Sequence, residues 1–520
     1  MSKNTEDITI KVQDKSSYPK QTAFRIDPNQ SYEVGFVSST RNYLLLLNGL
    51  PTVRINELVS NAEGVRGLVT GLRDNAVEVL LLDDAKIAPN DQFFKTGQQL
   101  SIGTGEHLLG RVIDPLGIPI DGKGKFSSSG TELKVDKVAT GIKSRLFIKN
   151  QFETGITTVD SLIPIAKGQR ELVIGSARSG KSSFLIDTII NQRKTHENGN
   201  KGIICVIGLI GKPLGEIRRI VDILTINKAM EYTCIVVASS SDPASLILVA
   251  PSSAFTIAEY FQAQARDVLL ILDDMGLHAK YYREMSLLSN KPPGRESYPG
   301  DIFSLHSSLV ERAGNFRPEY GGGSITALPV IETSFTDFTA FIPTNLMAMT
   351  DGHLLFDADT YRRGIRPAIN VSLSVSRVGR QTQTVVQKQL ADKIKSTLAQ
   401  AKRLETLSRF GSEVSEETQQ TLNQGHQIEL LLNQTSLTFI PKEIQIFALA
   451  LIYTPFLAKK DITFLEKHKE TIFKFLNKLD YKNIFIETSK MNDESQLITY
   501  MAKYQDQLEK ACSTEVARKI

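Results

Sequence analysis

The sequence predicts a multidomain protein: a small N-terminal β-barrel, a central α/β domain on a parallel sheet, and a C-terminal α-helical domain. Three observations predict it. The apolar run Glu171–Ile174 leads straight into Gly175-Ser176-Ala177-Arg178-Ser179-Gly180-Lys181-Ser182, the pattern GxxxxGK[ST], with a helical stretch behind it. Between about 99 and 381, strand-like runs such as GIICVIGLIG, TCIVVASSS and DVLLILDD alternate with helical ones, the order of a parallel sheet covered on both faces. Beyond 382, apolar residues in VVQKQLADKIKSTLAQAKRLETLSRF recur at steps of three and four.

Taken in order, residues 1–26 are polar and irregular and read as an arm. Residues 27–98 carry the short runs YEVGFVSS, NYLLLLNGL, RGLVTGLR and AVEVLLLDD with turn residues between them, the spacing of a small antiparallel barrel. Residues 99–381 form the central domain and 382–520 the helical one. A chain of 520 residues, 41% hydrophobic and 23% charged, is ordinary for a globular protein. Its net charge of +4, with no basic run rich in aromatics, gives no footprint for nucleic acid. Cys205, Cys234 and Cys512 are too few and scattered for a disulfide framework or a zinc site. The longest apolar stretch, near Phe447–Ala458, is too short to cross a bilayer.

The loop has its own chemistry. Glycines let successive backbone N–H groups turn inward as an anion nest, and the following helix aims its positive end at the same place. Lys181 adds a charge for phosphates, and the Ser182 hydroxyl can ligate Mg²⁺. Asp273 ends the buried-strand run Val268–Leu272 and is expected to support the metal, directly or through water. Arg377 follows the strand-like NVSLSVS. An arginine at a sheet edge can reach a phosphate bound by a neighbouring subunit. Residues 291–300, KPPGRESYPG, cannot form a regular helix and read as a rigid loop or subunit contact.

Longer motifs carry a family resemblance. KPPGRESYPGDIFSLHSSLVERAG (291–314), GIRPAINVSLSVSRVGRQTQ (364–383), TGITTVDSLIPIAKGQRELVIG (154–175), LLGRVIDPLGIPIDGKG (108–124) and GGGSITALPVIET (321–333) resemble, in the same order, the α subunits of rotary F-type ATP synthases. The resemblance implies a crown barrel, a RecA-like P-loop NTPase domain and a helical domain. It also implies an alternating hexameric ring with a β-type subunit around a central stalk and, through other subunits, a membrane rotor. The place implied is cytoplasmic, on the inner face of the cell membrane. The implied ligands are Mg²⁺ with ATP or ADP. By the same resemblance, Gly175, Arg178, Ser179, Gly180, Lys181, Ser182 and Ser183 serve the nucleotide, Ser182 and Asp273 the metal, and Arg366, Pro367 and Gln434 the adenine pocket. Arg377 would be the arginine finger completing the partner's catalytic site.

Departures from the family pattern shape the functional expectation. A hydrolytic site needs a carboxylate after the strand that follows the loop helix, to orient the attacking water. The strand Gly202–Gly208 is expected to end there, followed by Leu209, which can do neither acid–base nor hydrogen-bonding chemistry. This chain's own site is therefore expected not to hydrolyse ATP, and Glu216 is too far along to substitute. Ala177 stands where the family has arginine, with Arg178 beside it to compensate, and Ala348 stands where the family often has serine. The arm reads as a strand, TEDITIKVQ, and lacks a stalk-docking amphipathic helix. That leaves a second assignment: an α-type chain of a related motor given another task, such as surface motility or transport. A hexameric RNA helicase shares the core fold but would need a nucleic-acid signature. The lysine-rich tail beyond 460 is longer than the resemblance leads one to expect.

Overall fold

Residues 34–99 close on themselves. In the computed structural model, which describes residues 32–519 apart from 129, 200, 335–338 and 409–415, strands β1 (Val34–Arg41), β2 (Leu44–Gly49), β3 (Glu57–Ser60), β4 (Arg66–Leu72), β5 (Val77–Leu81) and β6 (Gln92–Gln99) form a closed barrel. Their order is β1-β2-β5-β4-β3-β6, and β6 pairs back onto β1. Closure removes the exposed strand edges that would otherwise invite aggregation. Val37, Leu45, Leu47, Val59, Val69, Val79 and Phe93 fill the interior, each at most 1% exposed, as alternation along the strands requires. The expected arm, 1–26, lies outside the described residues.

The chain divides into two compact units. The first holds the barrel and continues through Leu146, Arg193–Glu332 and the segment ending at Thr350. Its parallel strands run, edge to edge, Val112–Ile113, Thr233–Ser239, Ile204–Lys212, Asp267–Asp273 and Ser324–Thr333. Gly314–Asn315 pairs antiparallel on the last. Ile204–Gly211 is buried throughout, the pattern of a strand covered on both faces. The helix Ala244–Ala263 is the one described helix long and apolar enough to cross a membrane, and 83% of that window is buried inside the protein. It is thus a core helix, and it is longer than the run at 447–458 that the sequence singles out.

The second unit comprises Phe147–Gln192 and the chain from Asp351 onward. Here Glu171–Ser176 pairs in parallel with Gly352–Phe356, which pairs antiparallel with Val375–Ser376. The helices Val385–Ser408 and Glu416–Leu432 pack on each other, and Lys442–Leu451 is buried from Ile444 onward. The tail beyond 460 folds into four further helices, Ile462–Lys478, Tyr481–Thr488, Glu494–Ala502 and Gln505–Lys519. The first lays Leu465, His468, Ile472 and Leu476 inward at helical spacing against Lys442–Leu451. All three cysteines are buried thiols.

Candidate functional site

The phosphate loop sits where the motif places it, between the strand Glu171–Ser176 and the helix Lys181–Asn191. Gly175 lies so close to Phe356 that a Cβ would stand 2.4 Å from its carbonyl oxygen. Gly180 adopts φ 96°, a left-handed turn that glycine accepts without strain, and Arg178 adopts φ 58°. Ser179 Oγ donates to Ser176 O at 2.7 Å, which tightens the loop. Lys181 Nζ donates to the carbonyls of Gly175 (2.9 Å) and Ser176 (2.6 Å), holding the ammonium over the nest. Ser176 Oγ is buried and makes no hydrogen bond among the described residues, a spare group facing polar demand. Ala177, Arg178 and Ser183 are exposed, and Ser182 is half-buried.

A second cluster in the same unit adjoins the loop. A Cβ on Gly180 would meet the Tyr361 ring at 3.6 Å. The Arg366 guanidinium lies over that ring, 3.5 Å from its centroid, and donates to Tyr361 O at 2.7 Å. Arg366 N–H donates to Asn433 Oδ1 (3.0 Å), and Gln434 N–H donates to Arg366 O (2.7 Å). Asp187 of the loop helix accepts from Ser436 Oγ at 2.9 Å and from Leu437 N–H at 3.1 Å, and burial pushes its carboxyl above the usual range. The loop, Arg366–Pro367 and the 433–438 turn are therefore tied together, although they are far apart in sequence. Gln434 spends its side chain on partners within this unit. Its Oε1 accepts from Thr157 N–H and Oγ1–H, both at 3.0 Å. Its Nε2 donates to Gly155 O at 2.7 Å and to Thr438 O. The buried amide is fully occupied and pins the turn.

Asp273 belongs to the first unit and ends the strand Asp267–Asp273. Its neighbour Asp274 caps the helix Met275–Leu288, accepting from Gly276 N–H (2.5 Å), Leu277 N–H (3.0 Å) and Glu332 N–H (2.7 Å). Burial, and then the Asp273 charge, push the Asp274 carboxyl up to about 6. Asp273 Oδ1 lies 2.9 Å from Lys212 Nζ, which also faces Glu216 at 3.5 Å. Burial works against the Lys212 charge, but the Asp273 carboxylate outweighs it and holds the ammonium above its ordinary pKa.

One expectation changes here. The strand does not end at Gly208 but runs Ile204–Lys212, and Leu209 is 1% exposed inside it, opposite Asp273. The side chain standing at the strand's end is Lys212, which belongs to no recognised motif. Asp273, expected as metal support, has its carboxylate balanced by that lysine. Among the described residues no three His, Cys, Asp or Glu side chains cluster as a metal would need.

Arg377 follows the strand Val375–Ser376 in the second unit, is exposed, and donates its N–H to Asp351 O at 3.1 Å. Ala348 is exposed on the helix Phe341–Met349 of the first unit.

Comparison with known proteins agrees with this layout. Residues 155–376 match the model of the ATP synthase alpha/beta family, nucleotide-binding domain, and residues 383–508 match the ATP synthase alpha/beta chain, C terminal domain. Two proteins named ATP synthase subunit alpha, from Anaplasma marginale strains Florida and St. Maries, are each 42% identical over 422 residues, 81% of this chain and 83% of theirs.

Proposed function

The chain belongs to the ATP synthase alpha/beta family, and we propose that it is an alpha-type subunit that binds ATP or ADP without hydrolysing it and completes a neighbour's catalytic site. Its partners in this reading are a β-type subunit, alternating with it in a ring, and a central-stalk subunit. The assembled complex works at the inner face of the membrane. Mg²⁺, arriving with the phosphates, would neutralise their charge, and Ser182 is the hydroxyl that would hold it.

The observation that carries the non-hydrolytic part is Leu209, a buried side chain where the sequence pattern calls for a carboxylate or amide. Water attack on a phosphate needs a carboxylate or amide to orient the water. Leu209 offers neither, and the strand's later Lys212 is an ammonium bound to Asp273 and no base. The nearby Glu216 faces the same ammonium. The loop keeps its N–H nest, its lysine and its helix terminus, so binding is retained where base chemistry is not.

The exposed Arg377 supports the second part, since a guanidinium offered beyond a strand end can reach a phosphate on another chain. The test is turnover by the complex purified from its own cells. Arg377→Ala should keep the complex assembled and lower ATP turnover by roughly 10³-fold, the scale on which arginine fingers act. Lys181→Met should abolish nucleotide bound to this chain while the partner's chemistry continues. Near-normal turnover in Arg377→Ala would remove that residue from the mechanism. The proteins recovered with the chain would also identify what the ring drives.

A further inference from the structure

Inside the second unit, the phosphate loop is joined to the tail beyond 460 by an unbroken run of hydrogen bonds. The run begins on the helix Lys181–Asn191, which starts at the loop's own lysine. Further along that helix, Asp187 accepts from Ser436 Oγ (2.9 Å) and Leu437 N–H (3.1 Å) of the 433–438 turn. The same turn holds Arg366 twice: Asn433 Oδ1 accepts from Arg366 N–H, and Arg366 O accepts from Gln434 N–H. The run ends on the tail helix Ile462–Lys478, where Lys469 Nζ donates to Leu430 O (2.6 Å) and Asn433 O (2.7 Å).

Lys469 is the joint of that run that can open. Its side chain is half-buried, and among the described residues it makes no ion pair. An ammonium drawn partly out of water without a counter-charge is costly, and here the carbonyls at a helix end offset that cost. Those acceptors stand in reach only while the helix Glu416–Leu432 ends, and the turn follows it, in this geometry. A lysine also has a cheap alternative, because its flexible stem can return the ammonium to water. The rest of the helix's inward face is Leu465, His468, Ile472 and Leu476, mostly apolar packing, which is non-directional and sets no register of its own. The joint thus has two arrangements, docked and released, and the place of Asn433 selects between them.

We propose that the tail helix Ile462–Lys478 is a sensor of the chain's own nucleotide site, with Lys469 as its linking contact: a nucleotide on the phosphate loop fixes the 433–438 turn, and the fixed turn holds the tail. This rests on the nucleotide-binding reading given above and adds a regulation of that site. Linkage is reciprocal, so a docked tail raises nucleotide affinity by the same factor by which nucleotide favours docking.

The experiment is amide hydrogen exchange, read by mass spectrometry, on the purified complex with and without Mg-ATP. Bound nucleotide should slow exchange across Leu465–Leu476 by about 5-fold or more, the lower end of the range for coupled sites. Lys181→Met, which empties this chain's site while the partner's sites still fill, should abolish that slowing. Lys469→Met should abolish it too, and its nucleotide affinity should fall by the same factor. Lys474→Met, on the exposed pair with Glu470 of the same helix, should leave both as they are. If Lys469→Met does not assemble, Asp187→Ala cuts the run at its other end and should remove the slowing at saturating nucleotide. Slowing that persists in Lys181→Met or Lys469→Met, or that is absent from the unaltered complex, overturns the sensor role. Labelling with a photoreactive azido-ATP separates the two readings. A labelled chain with an unresponsive tail loses the sensor alone, and an unlabelled chain loses both.

Discussion

Lys212 Nζ stands 2.9 Å from Asp273 Oδ1, an ion pair across the C-terminal ends of two neighbouring parallel strands. Both side chains are nearly buried, at 11% and 5% exposure. Removing the lysine alone leaves a buried carboxylate without its main counter-charge. Lys212→Met should therefore destabilise the chain by about 3 kcal/mol, the usual cost of breaking a buried pair from one side. Lys212→Met combined with Asp273→Asn should recover most of that loss. Denaturant unfolding of the two variants checks it, and equal stabilities for the single and double variants would count against the pair.

A buried histidine pair should make the first unit acid-sensitive. His278 Nε2 donates to Leu248 O (3.2 Å), so its neutral Nδ1 accepts from His306 Nε2 at 3.1 Å. Burial lowers His278 to about 4, and burial with the neighbouring His278 lowers His306. A depressed folded pKa means the stabilising contribution is complete above the unfolded value of 6.5 and is lost as pH falls through about 4. For His278 this amounts to about 3 kcal/mol. Unfolding free energies measured from pH 7 to 4 should show that slope, and His278→Gln should flatten it.

Gln434 makes four hydrogen bonds from one buried amide, joining the 433–438 turn to Gly155 and Thr157. Gln434→Ala strands Thr157 N–H and takes one of two donors from the Gly155 carbonyl, which keeps Ile440 N–H at 3.3 Å. It should cost about 1–3 kcal/mol, the penalty for buried groups left unsatisfied. Because the same turn holds Arg366, nucleotide affinity should also fall. Titration with a fluorescent nucleotide would detect this, and unchanged affinity would separate the turn from the base pocket.

Lys469 ties the tail to that turn. Its Nζ donates to Leu430 O (2.6 Å) and Asn433 O (2.7 Å), the open carbonyls at the end of the helix Glu416–Leu432. A cation there complements the helix dipole. Lys469→Met should cost about 1–2 kcal/mol through unmet helix-end carbonyls. It should weaken nucleotide binding more than Lys474→Met, whose exposed partner Glu470 carries little.

The strand–loop–helix of 171–191, the barrel and the helical C-terminal region were legible because each depends on local pattern. A GxxxxGK[ST] run needs only its own backbone to curl, and alternation or three-to-four spacing is visible in any short window. The end of the strand Ile204–Lys212 was misread because glycine looks like punctuation. Gly208 is instead a close-packing point, where a Cβ would meet Leu272 at 3.2 Å and Ala254 at 3.4 Å. Gly211, at φ 69°, sits where the register slips between Ile210 and Lys212, and the strand continues past it. The core helix Ala244–Ala263 holds Pro251 in its interior, where a proline ordinarily ends or kinks a helix.

What the sequence determined by itself was local pattern: a GxxxxGK[ST] loop between strand and helix, an arginine after a strand, and Leu209 rather than a carboxylate after Gly208. The tertiary structure decided which partners each group has. Lys212 meets Asp273, Lys469 meets the carbonyls of Leu430 and Asn433, and the Gln434 amide is spent on Gly155, Thr157 and Thr438. Such pairings join residues tens to hundreds of positions apart. Only the register of packed strands and the ends of packed helices bring those side chains within hydrogen-bonding distance, and neither is encoded in a short window of sequence.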